Sequence, residues 1–288
     1  MFSFIKIACY FAFASSFLYQ IADSFPNLRT CKSPYNNNTA NVGVWLCGAS
    51  YCNQNDYFRM VLGGPAKGFV VKEVLYDKKT DVLGYAGILP STRSIYVVFR
   101  GTSSILNWVD DFEIKKIPYT TYPQCDCNIH KGFYMATQNL APHTISVVNQ
   151  LKKEYGYSDI IITGHSLGAA ISQIMAMEMI SKNLAVDVYN YGQPRVGDEK
   201  FAIYSRTILG NYWRITHNRD MVPHVPPREL GYLHSCGEVF ENGDGILNMC
   251  SMTDCEDPKC ADQYKMIHTN AKDHEIYLGH NLDCGASF

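Results

Sequence analysis

Apolar positions along the chain fall into two rhythms. Ile160 to Thr163 is an unbroken, mostly β-branched run, which predicts a buried strand, and from Leu167 to Ile180 the apolar residues recur at helical spacing. Ser94 to Arg100 is a second, nearly continuous apolar run and predicts a central strand. Ahead of it, Phe69 to Tyr76 and Val82 to Leu89 predict an antiparallel hairpin joined by the turn-forming Asp77 to Asp81. Lys131 to Tyr155 carries a helical pattern with Pro142 as a kink, Ala185 to Tyr191 and Tyr212 to His217 predict strands, and Asp198 to Ile208 predicts a helix. Strands alternating with helices imply an α/β sheet built from crossover units. No internal repeat or long linker interrupts the pattern, so one domain over residues 25–288 is expected. Residues 25–41 are polar and read as irregular surface chain. Residues 243–265, rich in Cys, Asp and Asn, read as a disulfide-pinned loop excursion.

The N-terminus departs from both rhythms. Lys6 is followed by the apolar stretch Ile7 to Ala14 and then Ser15 and Ser16, the pattern of a secretory signal peptide over residues 1–16, with cleavage as late as residue 24 left open. A membrane anchor is the rival reading, but Gln20 and Asp23 interrupt the run before the ~20 apolar residues a bilayer requires. Removing the signal takes Cys9 from the eleven cysteines and leaves an even set, which in a secreted chain points to disulfides. Cys250, Cys255 and Cys260 with His268 form a rival zinc set, although zinc ligand pairs sit closer in sequence than these. Asn37-Asn38-Thr39 is an N-glycosylation sequon, in keeping with export.

Composition bounds the rest. The chain has 288 residues, 47% of them hydrophobic, and a formal net charge of −2. That buries a substantial core and gives no bias towards nucleic acid. The pairs Lys78-Lys79, Lys115-Lys116 and Lys152-Lys153 read as solvated faces.

The strand and helix around residue 160 meet at Gly164-His165-Ser166-Leu167-Gly168. A glycine-flanked serine on a sharp strand-to-helix turn presents its hydroxyl at the carboxyl end of a sheet, and the Leu167 N–H at the helix start is free to donate to an oxyanion. The serine needs a base to take its proton and a carboxylate to orient that base. In hydrolases of this kind both follow the serine along the chain. Asp220 lies just past a strand, where parallel-sheet sites assemble, whereas Asp187 falls inside a strand and Asp198 reads as a helix cap. His224, His234, His268, His274 and His280 all remain open as the base. His165 points the wrong way and reads as a packed residue of the turn.

Several segments taken together carry a family resemblance. They are Val97-Val98-Phe99-Arg100-Gly101-Thr102-Ser103, Asn107-Trp108, the serine pentapeptide, Tyr191-Gly192-Gln193-Pro194-Arg195-Val196-Gly197-Asp198, Arg214-Ile215-Thr216-His217, Asp220-Met221-Val222-Pro223-His224-Val225-Pro226-Pro227, and Asp273-His274-Glu275-Ile276-Tyr277-Leu278-Gly279. In this order they resemble the secreted fungal-type class 3 lipases. The resemblance implies an α/β-hydrolase fold, with a mostly parallel central sheet and helices on both faces. It implies Ser166 as nucleophile, Asp220 as acid, His274 as base, and Thr102 with the Leu167 N–H as the oxyanion hole. Thr102 stands where many members have serine, which keeps a hydroxyl. Cys31 with Cys284 and Cys47 with Cys52 look similar to family bridges. A bridge between Cys125 and Cys127 would close a very tight ring, which counts against it, and the excursion aligns with no family pattern.

The resemblance further implies a mobile lid over residues 104–112, where Ile105, Leu106, Trp108 and Val109 would form an apolar, substrate-facing side. The alternative is a fixed surface helix packed by Ile105 and Trp108. The expected activity is hydrolysis of lipid acyl esters, triacylglycerol foremost, with phospholipase A1 or a feruloyl-type esterase as alternatives and a non-catalytic lipid-binding relative as a remote one. A secreted monomer that touches a membrane or lipid-droplet surface transiently is expected, with no metal or organic cofactor.

Overall fold

The computed structural model describes residues 34–102, 104, 106, 109 and 113–288. The expected signal peptide and Cys31 lie outside the described residues. Eight strands form one sheet in the order β1-β2-β3-β6-β7-β8-β9-β10. The predicted hairpin is β1 (Val70–Asp77) and β2 (Val82–Leu89), and β2 pairs antiparallel with β3 (Ser94–Phe99). From β3 the pairing turns parallel through β6 (Asp159–His165), β7 (Asp187–Tyr191), β8 (Tyr212–His217) and β9 (Glu238–Glu241), and β10 (Leu247–Met249) closes the edge antiparallel.

The near-continuous apolar runs belong to strands buried on both faces. Ile160 and Ile162 enter one core and Ile161 the other, as a period of two requires. Three helices pack on the first face: α2 (Lys131–Tyr155), α3 (Leu167–Ser181) and α4 (Glu199–Ile208). α2 buries Phe133, Ala136, Leu140 and Leu151 on one stripe, whereas α3 is buried from Gly168 to Met179 almost all round. Asp198 caps α4, its side chain accepting the Phe201 N–H at 2.9 Å. A small ladder of β4 (Lys116–Pro118) and β5 (Asn128–His130) leads into α2.

The opposite face is covered by α1 (Asn37–Ala49), where the sequence pattern predicts irregular chain as far as residue 41. The polar Asn run is the helix cap: Asn36 Oδ1 accepts from the N–H groups of Asn38 and Thr39 at 2.9 and 3.2 Å. A side chain at Gly43 would meet the Tyr191 hydroxyl at 2.7 Å, so close seating on the sheet, rather than an amphipathic stripe, sets this helix.

The disulfides differ from the expected pairing. Cys284 bonds Cys52, not Cys31, and Cys47 is free. Cys47 lies on the buried side of α1 with Sγ 3.4 Å from Thr163 Oγ1, and burial pushes its thiol up to about 12. Cys52 lies past the helix end, where the C-terminal turn passes. Cys125 and Cys127 do bond, because Asp126 between them adopts a left-handed conformation (φ 48°, ψ 41°) that folds the ring back on itself. In the excursion Cys236 bonds Cys255 and Cys250 bonds Cys260, so these sulfurs hold one another and His268 stands exposed.

A crosslink restricts the unfolded chain more the longer the loop it closes. Cys52–Cys284 closes a separation of 232 residues and Cys250–Cys260 one of 10. Replacing both members with serine should therefore cost about 5 kcal/mol for the first pair and about 3 kcal/mol for the second, read as midpoints of guanidinium unfolding.

Candidate active site

Ser166 sits between β6 and α3 with φ 58° and ψ −127°, a left-handed backbone that a serine adopts only under constraint. The constraint is the closeness of α3 to the sheet. A Cβ on Gly164 would lie 2.3 Å from the Gly168 carbonyl oxygen, and a Cβ on Gly168 would lie 2.1 Å from the Phe99 carbonyl oxygen. The Ser166 N–H is tied to the Tyr191 carbonyl at 3.0 Å. Gly101 presses from the other side, where a Cβ would come within 2.8 Å of the Ser166 Cβ. Thr102 is the next residue along the chain and is half-buried. Leu167 opens α3, so its N–H precedes the helix's own hydrogen-bond ladder.

β8 ends at His217 and the chain turns to Asp220, which is buried. Three groups donate to its carboxylate: Val222 N–H at 2.8 Å to Oδ1, and His274 Nδ1 at 2.9 Å and the Tyr277 hydroxyl to Oδ2. A carboxylate only accepts, so Nδ1 of His274 carries a proton and Nε2 is left as the ring's acceptor. Burial and then the Asp220 charge hold the Tyr277 hydroxyl well above its ordinary pKa, so it remains a donor. Ser166 Oγ and His274 Nε2 are both buried and neither has a hydrogen-bond partner among the described residues.

His165 packs against His274. Its Nε2 donates to the His274 carbonyl at 2.8 Å, its Nδ1 accepts from the Tyr51 hydroxyl at 2.6 Å, and the two imidazoles overlap at 4.2 Å between centroids. This pattern needs a neutral ring, and burial, with His274 adding to it, holds the His165 pKa well below the ordinary value. The other open candidates lie elsewhere. His234 donates to the Pro223 carbonyl at 2.7 Å, His280 stacks on Trp45 and bonds Ser287, and His224 is buried within the loop after Asp220. Of the expected lid, Leu106 is exposed and Val109 half-buried in helical conformation, and Ile105 and Trp108 lie outside the described residues.

The family description Lipase (class 3) matches residues 96–230. The chain is 33% identical over 198 residues to the lipase of Rhizomucor miehei, covering 66% of this chain and 53% of that protein. The chain is thus similar to the class 3 lipases. It is also 29% identical over 212 residues to the secreted mono- and diacylglycerol lipase 1 of Fusarium solani, covering 72% of this chain and 59% of that one. It thus spans little more than half the length of these curated relatives. A solved triacylglycerol lipase, described as having a serine protease triad at its catalytic centre, superposes with a TM-score of 0.76 at 28% identity, covering 86% of this chain and 96% of that one. The α/β-hydrolase fold is shared.

The matched segment contains Ser166 and Asp220 but stops short of His274. Of the five open histidines, His274 is the one whose ring bonds the Asp220 carboxylate. Residue-type reasoning overlooked Gly101, Gly192, Tyr51 and Tyr277, because none of them carries reacting atoms. Gly192 is the clearest case: it has φ 55°, and a Cβ there would lie 2.6 Å from His274 Cε1 and from the Tyr277 hydroxyl. Gly192→Ala should displace the imidazole and lower kcat on a soluble ester about a hundred-fold with KM little changed, the scale of a ~1 Å misplacement. Steady-state kinetics with a circular-dichroism check of folding measures it.

Proposed function

We propose that this chain is a secreted serine esterase that hydrolyses acyl esters of lipids, triacylglycerol foremost. The observation that carries the reading is the buried Asp220–His274 contact in a fold that also holds a buried Ser166 at positive φ. His274 Nε2 takes the Ser166 proton as Oγ attacks the ester carbonyl, and Asp220 stabilises the imidazolium that forms. The Leu167 N–H and Thr102 bind the tetrahedral oxyanion, where donors aimed at developing charge have most effect. His274 returns the proton to the leaving alcohol, and water, deprotonated by the same ring, releases the fatty acid. This chemistry is complete with side chains and backbone alone.

The names of the relatives supply the substrate class, acylglycerols, and for the Fusarium protein secretion as well. The exposed Leu106, with the half-buried Val109 three residues on, supports an apolar cover over residues 104–112 that opens at a lipid surface.

Ser166→Ala should reduce turnover by about 10⁶-fold while the protein stays folded, and Asp220→Asn by about 10⁴-fold. The assays are emulsified triacylglycerol, phospholipid vesicles and a soluble short-chain ester, run side by side. Turnover that survives Ser166→Ala removes the mechanism. Rates highest on phospholipid reassign the head group, and activity confined to the soluble ester removes the apolar cover.

A further inference from the structure

The loop that bears His274 is fastened to the sheet on two sides. On one, Asp273 Oδ2 accepts from Asn218 Nδ2 at 3.0 Å, the Arg219 N–H at 3.1 Å and Asn270 Nδ2 at 2.9 Å, and His217 Nδ1 lies 2.9 Å from the Asp273 carbonyl. On the other stands a buried acid that hydrolysis does not use. Glu241 ends β9 with 4% of its surface exposed. Its Oε2 accepts the Leu278 N–H at 2.7 Å, the carboxylate also receives the Gly279 N–H, and its backbone carbonyl accepts from Asn218 at 2.8 Å.

Leu278 and Gly279 are the two residues between the short strands β11 (Ile276–Tyr277) and β12 (His280–Asn281), and both have positive φ, 52° and 71°. Two left-handed residues in a row are the mark of a tight primed hairpin, which suits Gly279 and burdens Leu278. The carboxylate compensates by capturing both amides of that turn. One residue back, Tyr277 reaches Asp220, and three further back lies His274. The turn therefore sets where Tyr277 and His274, the two side-chain donors to Asp220, stand.

We propose that Glu241 is a positioning residue whose ionised carboxylate grips the β11–β12 turn and so keeps Tyr277 and His274 in register with Asp220. The proposal rests on reading Ser166, His274 and Asp220 as the hydrolytic triad. A neutral glutamine fills the same volume but offers one acceptor oxygen where the carboxylate offers two. Among the described residues, the titratable groups facing Glu241 are His217 from β8, Tyr277 from β11 and Tyr35 from the segment before α1, none of them a lysine or arginine. Burial raises the Glu241 carboxyl above its ordinary range, opposed by the two amides and by His217.

That direction separates positioning from plain stabilisation. An acid with a raised pKa is favoured as the protonated form in the folded chain, so its stabilising contribution is present at acid pH and is lost as pH rises through the folded pKa. At neutral pH the charge works against stability and is retained for the grip it gives. Glu241→Gln should then leave the melting temperature at pH 7 equal to or above that of the parent, with the difference shrinking as pH is lowered. It should also cut kcat on a soluble ester at least ten-fold, hold KM within two-fold, and speed amide exchange at Leu278 and Gly279. Glu241→Ala, which removes both acceptors and leaves a cavity, should show the same kcat loss with a lower melting temperature.

Parental kcat and amide protection in Glu241→Gln would overturn the proposal, as would a kcat loss matched by a fall in melting temperature. If the parent chain hydrolyses no ester, the triad reading fails instead, and amide exchange with thermal melting still decides whether Glu241 grips the turn.

Discussion

The closeness of α3 to strands β3 and β6 is the constraint from which the rest of the site follows. With carbonyl oxygens only 2.1 to 2.3 Å from where Cβ atoms would stand, neither Gly168 nor Gly164 tolerates a side chain. The chain can make the turn only by placing Ser166 in a left-handed conformation. A free peptide would relax from such a backbone. Here β6 is hydrogen-bonded on both sides within the sheet and α3 is buried almost all round, so relaxation would break the core. Ser166 is held by packing, and the apolar run on either side of it is what does the holding.

Most of the site comes from the carboxyl ends of the parallel strands. Gly101 and Thr102 follow β3, Gly192 follows β7, Asp220 follows β8, and Glu241 ends β9. His274 is brought in from outside the sheet, on a loop stitched to the ends of β8 and β9. A side chain on such a loop needs more fastening than one on a strand. The Asp273 cluster, the His165 ring packed on His274, the Tyr277 hydroxyl and the Glu241 carboxylate supply it.

The cysteine-rich excursion joins the same framework through charge. Arg195, from the loop after β7, makes two 2.8 Å bonds to the Glu256 carboxylate and also donates to the His224 and Pro226 carbonyls. Both partners are buried, and such a pair adds specificity of docking more than net stability, since removing either member leaves the other charge unpaired. The excursion is thereby seated against the loop that follows Asp220. Its two disulfides keep a segment poor in apolar residues compact enough to present Glu256.

The sequence by itself determined the main-sheet strands β1, β2, β3, β6, β7 and β8 and the helices α2, α3 and α4, because period-two and helical spacing are local properties of side-chain direction. It marked Ser166 for the same reason: the turn and its glycines are contiguous. It placed Asp220 by its position just past a strand, and local pattern left five histidines open as its partner, of which the family resemblance implied His274. Tertiary structure is what brings His274 to Asp220, since the two are 54 residues apart and meet only after β11 folds back against β8. The pairing of Cys52 with Cys284, the burial of Cys47 and the helix at Asn37 were likewise beyond local pattern. Each depends on α1 being seated on a face of the sheet that forms only when β6 and β7 have come together.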